Sequence, residues 1–111
     1  MTIEWAYIRK GCTSCNKALA YFKENKISVD LTVDARKEKI DAQKAWDLIK
    51  HQNHVHIAKG KNKILTFEPG ASDAEEVLNH ALGRTGNLRA PAVIKQSNIF
   101  IGFNQDIYTR L

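Results

Sequence analysis

"IEWAYIRKGCTSCNKALAYFKENKISVDLTVD", Ile3 to Asp34, changes its hydrophobic period twice. Ile3, Trp5 and Tyr7 alternate with Glu4, Ala6 and Ile8, the period of two that a strand requires. After "RKG" the spacing becomes Cys15, Ala18, Leu19, Phe22. That is the i, i+3, i+4, i+7 stripe of an amphipathic helix, with Thr13 or Ser14 as its N-cap and its end near Asn25. Ile27, Val29, Leu31 and Val33 then restore the strand period. A strand–helix–strand start predicts two parallel strands joined by a right-handed crossover.

The remainder extends this pattern. Asp41 is a good N-cap for "AQKAWDLIK", where Ala45, Trp46, Leu48 and Ile49 form the apolar face. "HVHIA" and "KILTF" are short β-prone runs around "KGKN", with Gly60 suited to the turn of a small hairpin. "SDAEEVLNHALG" carries a capping box from Ser72 to Glu75 and Gly83 as its stop. "AVIK" and "NIFIG", separated by "QS", predict an antiparallel pair. A short terminal helix follows, with Asn104 as cap and Ile107, Tyr108 and Leu111 turned inward. Trp5 and Trp46 read as core aromatics. The order β, α, β, α, hairpin, α, β, β, α predicts an α/β protein with a mixed sheet and helices on its faces. With no repeat, linker or low-complexity tract, residues 1–111 are expected to form a single domain.

Composition narrows the function classes. The chain has 111 residues and a net charge of +5, from 17 Lys+Arg against 12 Asp+Glu. Anionic partners are favoured in general. The basic residues are nonetheless spread out, and the densest groups, "RKEK" (36–39) and "KGKNK" (59–63), are short. A nucleic-acid-binding module should show a denser basic stripe with interleaved aromatics, so direct nucleic-acid binding is not expected. No apolar run approaches the roughly 20 residues of a membrane helix. The N-terminus lacks the basic and apolar regions of a secretion signal. The expected compartment is the reducing cytoplasm, where structural disulfides are rare.

That bears on Cys12 and Cys15, the two cysteines of the chain. Cys12 falls between the first strand and the first helix. There a thiol faces unpaired N–H groups and the positive end of the helix dipole, and Arg9 and Lys10 add positive charge. This is the setting in which a thiol becomes a reactive thiolate. Cys15, three residues on, can reach back to a sulfur joined to Cys12. Cys12 is therefore the candidate nucleophile and Cys15 the candidate resolving thiol. A zinc site would need two further ligands from His51, His54, His56 and His80, and a C-x-x-C plus H-x-H spacing is not a usual finger. No metal and no organic cofactor is expected.

The segment "RKGCTSCNKALAYFKENKI" resembles the active-site segment of the arsenate reductase/Spx family of the thioredoxin fold, and "NLRAPAVIKQSNIFIGFNQDIYTRL" is similar to that family's arginine–proline strand, hairpin and last helix. The likeness covers Tyr7 to about Val33 and Gly83 to Leu111. It is closer still to small bacterial arsenate-reductase-like proteins, some of which carry selenocysteine at the nucleophile position. The resemblance implies a thioredoxin-like fold with a mixed four-stranded sheet and a small helical and hairpin insertion in the middle. It implies a thiol–disulfide oxidoreductase whose partner is glutathione, thioredoxin or a protein thiol, with an oxyanion as another substrate. The alternative it offers is an Spx-like redox-sensing regulator that binds a protein partner. By the same resemblance Cys12 matches the nucleophile, Cys15 the second cysteine, and Pro91 a cis proline beside the site. Ala90 would pair with substrate, and Arg89 and Lys59 would contact an anion. The chain departs from true arsenate reductases at Ala90, where they often carry arginine, and at Ile8, where they carry histidine.

Overall fold

In the computed structural model, which describes residues 2–60, 63–71, 73–109 and 111, the two period changes of residues 3–34 appear as β1 (Thr2–Ile8), α1 (Thr13–Glu24) and β2 (Ser28–Asp34). β1 and β2 are parallel, with Ile3 opposite Val29 and Tyr7 opposite Val33. α2 (Ala42–Ile49), β3 (His54–Lys59), β4 (Lys63–Phe67), α3 (Ala74–Ala81), β5 (Ala92–Lys95), β6 (Asn98–Ile101) and α4 (Gln105–Tyr108) follow. The protein is α/β, with a mixed six-stranded sheet ordered β2-β1-β5-β6-β3-β4.

The sheet corrects the expectation of four strands. The β3–β4 hairpin is no separate insertion; β3 lies parallel to β6, with Val55 opposite Ile99 and Ile57 opposite Ile101. All four of these side chains are fully buried. Covering each of them is worth about 1.5–3 kcal/mol, so an isolated hairpin would leave the apolar row of β3 in water. The β5–β6 turn is tight, and Gln96 and Ser97 both adopt positive φ, 51° and 64°. This is the turn geometry that matches the twist of two adjacent strands.

Helices cover both faces. On one, Cys15, Ala18 and Phe22 of α1 and Ile107 and Tyr108 of α4 pack over Ile3, Ala6, Val93 and Phe100. On the other, Ala45 and Ile49 of α2 and Val77 and Ala81 of α3 pack over Tyr7, Val55, Ile99 and Ile101. Leu19, expected on the inward stripe, is 46% exposed; α1 makes its contact through positions 15, 18 and 22. Trp5 and Trp46 are half-buried and pack against the second core.

Asp41 and Asn104 cap α2 and α4 through their side chains, accepting from the N–H groups of Lys44 and Asp106. Ser72, half of the expected capping box, lies outside the described residues. The N-cap of α3 is Asp73, whose carboxylate accepts from the N–H of Glu75. Helix α3 ends at Ala81, two residues before Gly83.

Candidate active site

β1 ends at Ile8, and the chain turns through Gly11, with φ of +80°, into α1. The N-cap of α1 is Cys12, not Thr13 or Ser14, and no side chain caps the helix there. The thiol thus stands where a capping oxygen would otherwise accept from the first helical N–H groups. Cys12 is half-buried and Cys15 fully buried, both as free thiols.

The two sulfurs sit in opposed environments. Burial acts to raise the pKa of Cys12. The Cys15 N–H, the Cys15 thiol, the Ser14 N–H and the charge of Arg9 together outweigh it and leave the pKa below the ordinary value. Burial pushes the Cys15 thiol up to about 11, with a further rise from its bond to Cys12, against the Arg9 N–H that donates to its sulfur at 3.3 Å. The outer sulfur ionises first, and the inner one keeps its proton as a hydrogen-bond donor.

Cys12 opens into a cleft of ≈570 Å³. Tyr7 lines its floor. The buried Tyr7 hydroxyl donates to the Glu38 carbonyl at 2.7 Å and accepts from the Ile40 N–H at 3.2 Å, fixing loop 35–40 over the end of β1. The Leu88 N–H donates to the Ile40 carbonyl at 2.7 Å, so loop 83–89 is tied to the same wall. Within this frame Arg9, Arg36, Lys39, Arg84 and Arg89 line the cleft, and among the described residues no aspartate or glutamate does.

The residues expected at the site are only partly brought together. Cys12, Arg89 and Ala90 line one cleft. The Ala90–Pro91 bond is cis, and Pro91 is buried behind the cleft, its carbonyl accepting from the Gly102 N–H at 2.7 Å. Lys10 lines an adjoining depression with Arg36 and Lys37, and Lys59 lines neither. Lys59 ends β3, three strand spacings from β1, about 14 Å across the sheet.

Arg89 is half-buried and anchored, its Nη1 donating to the carbonyls of Ala58 at 3.0 Å and His80 at 3.2 Å. Burial draws its pKa below the ordinary value, although a guanidinium stays charged at any neutral pH. Much of its hydrogen-bonding capacity holds α3 and β3 together rather than facing a ligand.

Arg36, Lys39 and Tyr7 were not singled out from the sequence. "RKEK" reads there only as a short basic group; a buried tyrosine near a strand end is the signal that points to an anchored loop.

The histidines are placed differently from the cysteines. His54 and His56 begin β3, at the end of that strand opposite Lys59. The ring of His56 stacks on Phe100 at 4.9 Å, and that of His80 stacks on Phe67 at 6.1 Å. Among the described residues no three His, Cys, Asp or Glu side chains gather as a metal site. No described helix is long and apolar enough to cross a membrane. The chain matches no protein-family model and no curated protein.

Proposed function

We propose that this chain is a thiol–disulfide oxidoreductase with a thioredoxin-like fold of the arsenate reductase/Spx type, in which Cys12 is the nucleophile and Cys15 the resolving thiol. One observation carries the reading: a half-buried thiol with a lowered pKa stands at the start of α1, one helical turn from a fully buried thiol with a raised one. A structural cysteine has no need of that arrangement, since buried structural thiols are inert.

The chemistry follows from the order of ionisation. The Cys12 thiolate attacks one sulfur of a substrate disulfide. The new S–S bond joins Cys12 to one half of the substrate, and the other half leaves as a thiolate that takes up a proton. Cys15 then loses its proton to the departing sulfur as it attacks Cys12. This closes the Cys12–Cys15 disulfide and releases the second substrate thiol. The chain is oxidised by two electrons and the substrate disulfide reduced; a second dithiol resets the pair. Positions i and i+3 at a helix start lie about 5–6 Å apart at Cβ, a separation from which a short shift closes a disulfide.

Trapping tests the reading. Reduced Cys15→Ser protein mixed with oxidised glutathione should hold one glutathionyl group on Cys12 by mass spectrometry, whereas the wild type should pass to the internal disulfide without the adduct. An unmodified Cys15→Ser protein would refute the assignment of Cys12.

A further inference from the structure

The cations around Cys12 exceed what a small oxyanion uses. Arg9 comes from the β1–α1 turn, Arg36 and Lys39 from loop 35–40, and Arg84 and Arg89 from loop 83–89, and all five line the cleft. A tetrahedral oxyanion fills only a few water volumes, on the order of 100 Å³ at ~30 Å³ per water, against ≈570 Å³ here. The basic surface also continues. Arg36 is shared with a second depression of ≈390 Å³ lined by Lys10 and Lys37, where Asp34 is the one acid among the described residues, and one oxygen of that carboxylate accepts from the Arg36 N–H at 2.9 Å.

We infer that the site takes an acidic polypeptide segment carrying an oxidised cysteine, whose carboxylates lie along Arg36, Lys39 and Arg84 while its sulfur meets Cys12. The inference rests on the redox reading above and adds the substrate class. The ligand must bring a sulfur electrophile to Cys12, which a nucleic acid lacks. The cleft offers no exposed ring for stacking bases, because Tyr7 is 1% exposed with its hydroxyl engaged. Cations on separate segments, spread over two adjoining depressions, match carboxylates spaced along a chain. Arg36, Lys39 and Arg84 are exposed, so they act through long-range attraction, which raises association rates and is screened by salt.

The test uses the full reduced chain and three peptide disulfides with the same cystine, flanked by glutamates, glutamines or lysines. The readout is the rate at which Cys12 and Cys15 are oxidised. At low salt the glutamate peptide is expected to react about 10-fold or more faster than the lysine peptide, with the glutamine peptide between. The ratio should shrink towards one at ~1 M salt, where the screening length is about 3 Å. The double variant Arg36→Glu, Lys39→Glu should shrink the ratio several-fold, and being a ratio it is insensitive to a general loss of rate. Lys23→Glu, an exposed change on α1 away from the cleft, should leave it unchanged.

Equal rates for the three peptides, or a preference left undiminished by the double reversal, would overturn the inference. So would oxidised glutathione outpacing the glutamate peptide, which would make the occupant a small disulfide. If oxidised glutathione oxidises the pair while the peptide ranking is flat, the redox reading stands and the substrate class alone falls. If no disulfide oxidises the pair, both fall.

Discussion

Cys12→Ser is expected to lower disulfide-reducing activity by about 10³-fold or more, the scale on which enzymes lose rate when their nucleophile is removed. The substitution is close to isosteric and the site half-buried, so the fold should persist. The residual rate should be minute because Cys15 cannot take over. Cys15 is fully buried, and burial, the largest cause of its raised pKa, persists without Cys12, so little of it is thiolate at pH 7. Cys15→Ser should behave differently, losing turnover but keeping the first attack. A stopped assay that follows thiol release by each variant separates the two roles. Comparable residual turnover in both variants would show that the cysteines do not divide the work.

Gly102→Ala is expected to cost about 2–4 kcal/mol of stability, a large share of the ~5–15 kcal/mol of a typical domain. Two effects add. Gly102 sits at φ of +81°, where a Cβ costs roughly 1–2 kcal/mol. That Cβ would also lie 2.9 Å from Arg89 Nη2 and 3.1 Å from the Ala58 Cβ. A free arginine would swing aside, but this one is held at the carbonyls of Ala58 and His80. Relief of the clash would break those bonds and shift a wall of the cleft. Urea unfolding measures the cost, with Gly70→Ala as control, since a Cβ there meets nothing within 4 Å and φ is unstrained. Equal midpoints for the two variants would mean that Arg89 is not anchored as described.

Local pattern made part of this architecture legible. Strand–helix–strand over residues 3–34 follows from two changes of period, and the placement of Cys12 follows with it. Asp41 and Asn104 were readable as caps because capping is chemistry within one turn. The cap of α1 was not, because Thr13 and Ser14 have the commoner capping side chains while the turn at Gly11 hands the position to Cys12.

What joins β3 to β6 was illegible for a different reason. The pairing of His54 with Asn98 spans more than forty residues, and no short-range signal records which strand an apolar hairpin will meet. The cleft is hidden in the same way. Arg36, Lys39 and Arg84 look like ordinary loop charges until Tyr7 and the Leu88–Ile40 bond fold two loops onto the end of β1. Lys59 ends β3, three strand places from β1, a separation that no local pattern around it records.

The most direct measurement of the central claim is the pH dependence of alkylation of the reduced chain, resolved by cysteine with mass spectrometry. The Cys12 pKa is lowered and that of Cys15 raised to about 11. As pH rises, Cys12 should therefore begin to react on the acid side of an ordinary thiol, whose pKa is about 8.5, while Cys15 stays unmodified until strongly alkaline pH. Both thiols reacting together with the profile of free cysteine, or Cys15 reacting first, would contradict an activated thiolate at the start of α1.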